Sequence, residues 1–195
     1  MGCGASSQKI QIQPIRPAVR ESMELTSAEI DRIKKIWSIL DKQKVCLKAV
    51  VDIFQANQKI AVHFGLFHTD AQKLLAHPRV KTHGRTITTC LETVIGNLGA
   101  REVDTRHLLA YVGRVHYNKG ARFTADNWLT FKRHLTDNLL EPLYGQTGTE
   151  AKPVPKQQTT DTAAVFKLIS SVIRDVRQGF LDSALNDGAH STTGL

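Results

Sequence analysis

The sequence predicts an all-α fold, and three observations predict it. Apolar residues recur at spacings of three and four through most of the chain, and the core shows no strand pattern. Pro78, Gly99 and Gly120 punctuate the periodic runs where helices should start or stop. The 195 residues, 41% of them apolar, suffice for one domain with a continuous core plus tails.

Residues 1–24 read as a flexible leader, because Pro14 and Pro17 among alternating Gln and Ile discourage helix. The core begins at Leu25 and extends to 185. Thr26 or Ser27 can cap a first helix with Glu29 in its first turn, and Ile30, Ile33, Ile36, Trp37 and Leu40 share one face. A second helix is expected over 45–57, with Val50, Val51 and Phe54 apolar, and residues 58–72 should hold only short helical turns. Pro78 suits the first position of the next helix, whose stripe runs Val80, His83, Gly84, Ile87, Leu91, Val94, Ile95 and Leu98.

After Gly99, a helix over 103–118 turns Leu108, Leu109, Val112, Val115 and His116 inward, and Gly120 ends it. The following helix, 124–143, presents Trp128, Phe131, Leu135 and Leu139. Residues 145–160, with Pro153 and Pro155, read as a long exposed loop. The last helix, 161–185, carries Val165, Leu168, Ile169, Val172, Ile173, Val176, Phe180 and Leu181, and 186–195 should be a disordered tail.

A net charge of +8 comes with no block of like charge and no nucleic-acid recognition motif, so no nucleic-acid partner is expected. No apolar run is long enough to span a bilayer. Cys3, Cys46 and Cys90 are too few and irregular for a disulfide framework, which implies a reducing compartment. A disulfide between Cys46 and Cys90 is not expected. The start, Met1-Gly2-Cys3-Gly4-Ala5-Ser6, fits the N-myristoylation pattern, with Gly2 as the acceptor amine. One myristoyl chain anchors only marginally, and S-palmitoylation of the adjoining Cys3 would provide the second signal.

His83 and His116 lie on the apolar stripes of two helices, with Phe64 upstream of both. An apolar slot with an imidazole on each wall is what a buried haem iron requires. The segments Leu25-Thr26-Ser27-Ala28-Glu29 through Trp37, Val80-Lys81-Thr82-His83-Gly84 and Val112-Gly113-Arg114-Val115-His116 resemble the first-helix, distal-histidine and proximal-histidine motifs of globins. The resemblance covers about residues 25–185 and implies a globin fold, helices A to H around a haem pocket. It further implies that His116 is the proximal iron ligand, that His83 ligates the iron or stabilises its ligand from the distal side, and that Phe64 stacks on the haem. Val50 and Ile87 would line the distal side and Val112 the proximal side. Gly84 should let the second helix cross closely, with Cys46 at the crossing, and Arg85, Lys119 and Arg122 are candidates for the haem propionates.

Combined with the lipid signal, the chain looks like acylated, membrane-tethered globins of the globin X and neuroglobin kind, often with histidine at both axial sites. The leading expectation is a globin at the cytoplasmic face of a membrane, the plasma membrane by preference. It would reversibly bind oxygen, nitric oxide or carbon monoxide and act as a redox or gas sensor. The chain has no room for a flavin or nicotinamide domain, so electrons would come from an external reductant or redox protein. The alternatives are a haem oxidoreductase (nitric oxide dioxygenase, nitrite reductase or peroxidase-like) and a haem-free helical membrane adaptor.

Overall fold

The structure, a computed structural model, describes residues 25–67, 69–145 and 155–191. Gly2 and Cys3 therefore lie outside the described residues, as does His68. Every regular element among the described residues is helical: α1 (Ser27–Ile39), α2 (Lys42–Ala56), α3 (Gln58–Val62), α4 (Ala71–Ala76), α5 (Pro78–Asn97), α6 (Glu102–Asn118), α7 (Ala125–Tyr144) and α8 (Lys156–Ser191).

Local chemistry explains most of the boundaries. Thr26 caps α1 in a capping box: the Glu29 amide donates to Thr26 Oγ1 at 3.3 Å, and the Thr26 amide donates to Glu29 Oε2 at 2.8 Å. That backbone bond, with Lys167 opposite, holds the Glu29 carboxyl below its ordinary range. Asp41 and Asp70 cap α2 and α4 by accepting from the Lys44 and Lys73 amides. Pro78 opens α5, where its missing N–H removes no helical bond. Thr124 and Asn127 form a second capping box at α7, and Gly99 and Gly120 turn the chain at φ of 79° and 80°.

Two expectations about the C-terminal region are corrected. Helix α8 begins at Lys156, inside the stretch expected to be loop up to 160, and continues to Ser191, past the expected end at 185. The early start is stabilised by Asp161, buried at 5% exposure. Its carboxylate accepts from Arg32 Nη1 at 2.7 Å, from Gln157 Nε2 at 2.8 Å and from the Tyr144 hydroxyl. This ties the first turns of α8 to α1 and to the end of α7, and with burial it pushes the Tyr144 phenol up to about 12.

The core has two parts. The larger joins Ile33, Ile36 and Trp37 of α1 to Leu91, Val94 and Ile95 of α5, Leu135 and Leu139 of α7, and the Val165 to Ile173 face of α8. The smaller gathers Val50, Val51, Ile53 and Phe54 of α2 with Ala61, Leu66, Leu74 and Val80. Ile87 and Phe131 pack against both. Helix α6 packs most extensively against α8, and α2 against α5 and α7.

Candidate haem site

Helix α5 carries His83 on the same stripe as Val80 and Ile87, and helix α6 carries His116 one turn after Val112. The fold turns these two faces toward each other. The imidazole centroids of His83 and His116 stand 6.2 Å apart with ring planes at 75°. Phe64 reaches the pair from the α3–α4 connection, its ring 5.1 Å from that of His83 and 4.8 Å from that of Phe54. A tight turn presents it: Gly65 takes φ 73°, and Arg79 Nη1 donates to the Phe64 carbonyl at 3.2 Å.

The two imidazoles are held differently. His116 Nδ1 donates to the Val112 carbonyl at 2.8 Å, and because a carbonyl can only accept, Nδ1 carries a proton and Nε2 is the nitrogen available to a metal. His83 is flanked by rings on both sides, with no hydrogen bond to a described residue. Its desolvation, reinforced by the neighbouring His116, pushes it down to about 4 from an ordinary 6.5. Burial thus favours a neutral imidazole at His83, and a neutral imidazole is the form that binds a metal.

The sites of helix crossing also differ. A Cβ added at Gly113 would lie 1.9 Å from the Val176 carbonyl oxygen, and one at Gly179 would lie 2.0 Å from that of Ala110. Helices α6 and α8 thus touch backbone to backbone, one turn before His116. At Gly84 the neighbour is Leu47, with its Cα 3.1 Å and its Cβ 3.3 Å from the added atom. This corrects the expected partner: Leu47, not Cys46, meets Gly84. Cys46 is wholly buried one residue earlier beside Thr88, and burial pushes its thiol up. Cys46 and Cys90 are both free.

Of the other residues singled out from the sequence, Ile87 and Val112 keep partial exposure, whereas Val50 is buried to 1% in the smaller core, against which Phe64 and Ile87 pack. His63 is exposed at the end of α3. Arg122 is turned onto its own corner, donating to the Ala121 carbonyl at 2.9 Å with its guanidinium 5.0 Å from the centre of the Tyr117 ring. Phe123 was not legible as a site residue. Its ring lies 5.6 Å from that of His116, tilted at 46°, and continues to Trp128 at 4.9 Å and Phe180 at 5.7 Å. The only trace of it in the sequence is an aromatic residue just beyond the Gly120 break.

The donor set fits a haem. Among the described residues no three of His, Cys, Asp and Glu come together, so a bare ion would find only two protein ligands here. A macrocycle would bring its own equatorial donors and use the apolar walls. Two imidazoles bound to one metal through nitrogens at about 2 Å have centroids about 6 Å apart, which agrees with the observed 6.2 Å.

Comparison with known proteins bears on the fold and family. Residues 47–152, from α2 past the end of α7 and including both histidines, match the globin family. Among solved structures, the globin-like protein Glb-12 from C. elegans is similar with a TM-score of 0.69 and 16% sequence identity, covering 84% of this chain and 92% of that one. At that identity the likeness speaks for fold. A search of curated proteins finds no match. With more than half its length matched and its helices arranged as in a globin-like structure, the chain belongs to the globin family.

Proposed function

We propose that this globin would hold haem between His83 and His116, through both imidazoles, and serve as a membrane-tethered redox or gas sensor. The observation that carries the reading is the 6.2 Å separation of the two imidazoles, one of them hydrogen-bonded through Nδ1 and the other desolvated. When bound, the haem supplies an iron that takes up diatomic ligands and single electrons. His116 provides the permanent bond, its Nε2 made available by the Nδ1–H donation to Val112. His83, which no hydrogen bond to a described residue holds, would be the ligand able to give way to oxygen, nitric oxide or carbon monoxide. Apparent ligand affinity is then reduced by the fraction of time His83 occupies the site. Phe64, Ile87 and Val112 supply apolar contact and keep water out.

Tethering rests on the Gly2-Cys3 signal. Among the described residues no helix is long and apolar enough to cross a membrane. Two acyl chains at the cytoplasmic face of the plasma membrane suit local signalling or electron exchange better than bulk oxygen storage. Ultraviolet-visible spectra of the ferric and ferrous protein test the haem reading: a six-coordinate low-spin spectrum in both states is expected, and the absence of a Soret band after reconstitution would refute it. Cell fractionation tests the anchor. Gly2→Ala should move the protein to the soluble fraction and Cys3→Ser should release it partly, whereas membrane retention of Gly2→Ala would overturn acylation at Gly2.

A further inference from the structure

The aromatic rings of this protein form a continuous set that passes through both histidines. From His116 it runs to Phe123 at 5.6 Å, to Phe180 at 5.7 Å and to Tyr117 at 5.3 Å, and Trp128 branches from it. Tyr117 lies at the end of α6, under the Arg122 guanidinium and beside Asp187. The segment that carries it is basic. Between Asp104 and Asp126 the sequence has no acidic residue and four cations, Arg106, Arg114, Lys119 and Arg122. Arg114, Lys119 and Arg122 are exposed, and Arg114 lies 5.9 Å from the centre of the Tyr111 ring, which is 58% exposed. A cationic face with exposed aromatic area therefore sits where the ring set reaches the surface.

We propose that this face, Arg114, Lys119 and Arg122 around Tyr117, docks an acidic electron-transfer protein and passes single electrons between it and the histidine pair. The proposal rests on the haem reading above. In the forward direction one electron leaves the partner's redox centre, which is oxidised by one unit, and the haem iron is reduced by one. No bond is made or broken and no proton is needed. Asp187 is the one acidic group beside Tyr117 shown here, and three cations outweigh it. Complementary charge raises encounter rates by factors of about 10 to 1000 at low salt, and a short path through packed rings to His116 makes such encounters productive.

The test oxidises the ferrous full-length holoprotein at low ionic strength with two small reagents of opposite charge, ferricyanide and tris(phenanthroline)cobalt(III). Lys119→Glu/Arg122→Glu should slow ferricyanide roughly tenfold and accelerate the cobalt reagent. Lys35→Glu/Lys44→Glu, the same change in net charge on the exposed faces of α1 and α2, should alter each rate by no more than about threefold. Equal effects of the two double variants would overturn the proposal, since they would report global charge. A second readout needs no haem chemistry: salt-sensitive binding of the chain to polyglutamate should be weakened by Lys119→Glu/Arg122→Glu more than by the control. If Lys119→Glu/Arg122→Glu instead loses binding to phosphatidylserine vesicles while both electron-transfer rates stay as in the control, the face is a membrane surface and the proposal fails. Loss of the Soret band in the unmodified protein would refute the haem reading itself, a result distinguishable from all of these.

Discussion

The two walls of the histidine slot are built to different tolerances. On the α6 wall, His116 is bonded through Nδ1 to Val112, and its helix meets α8 where Gly113 and Gly179 leave less than 2.1 Å for any added carbon. On the α5 wall, His83 has ring neighbours but no hydrogen bond to a described residue, and Gly84 meets a side-chain-bearing residue, Leu47, at 3.1 Å or more. One wall holds its imidazole by a hydrogen bond. The other holds its imidazole by ring contacts, which on the proposed reading would let it exchange. A site that must keep its cofactor while exchanging a sixth ligand needs this division, because rigidity on both sides would close it and looseness on both would lose the haem.

Removing each histidine in turn should break the comparison most visibly. His116→Ala should lose most of the haem, and with it the stability that a ligand bound only to the folded state contributes. His83→Ala should keep the haem and change the spectrum from six- to five-coordinate in the ferrous state. Equal haem retention by the two variants, measured by Soret absorbance per protein, would show the walls to be equivalent.

The glycines give the next largest contrast. Gly113→Ala forces backbone atoms apart and should cost about 3 kcal/mol, the upper end of overpacking penalties. Gly84→Ala requires the neighbouring helix to give by only a few tenths of an ångström and should cost about 1 kcal/mol or less, offset in part by the helix propensity of alanine. Urea denaturation of both variants checks the ordering.

Acid should act on the His83 wall. Its folded value of about 4 lies below the ordinary 6.5, so the unfolded chain takes up a proton that the folded chain resists. The sign follows: stability is full above about pH 6.5, falls as pH drops toward 4, and levels off below that, with at most about 3 kcal/mol lost through this group. Urea titrations of the haem-free chain across this window, compared with His83→Phe, should show the slope in the first and a smaller one in the second. The smallest effect concerns the thiols. Cys46 and Cys90 are free, so a thiol reductant should leave carbon monoxide binding unchanged, and a shift abolished by Cys46→Ser would contradict the structure.

Much of this was legible beforehand because it is local. Thr26 and Glu29 announce a capping box within four residues, Pro78 announces a helix start, and the stripe through His83 needs only helical periodicity to be seen. The same local logic misread residues 156–160, where Pro153 and Pro155 just before them suggested loop. A proline just ahead of a helix is compatible with its start, and the Asp161 cluster that secures α8 takes donors from α1 and α7, far away in sequence.

The sequence by itself determined most of the helices, the capping box of the first and the pairing of His83 with His116, since short-range periodicity and a family motif carry that information. Tertiary structure alone decided that Gly113 and Gly179 are the contact between α6 and α8, that Leu47 and not Cys46 meets Gly84, and that Phe123 joins His116 to Trp128 and Phe180. Each of these depends on which residues of two helices, distant along the chain, come to the same point in space. That is set by how whole apolar faces interlock at close-packed density, and no single segment encodes it.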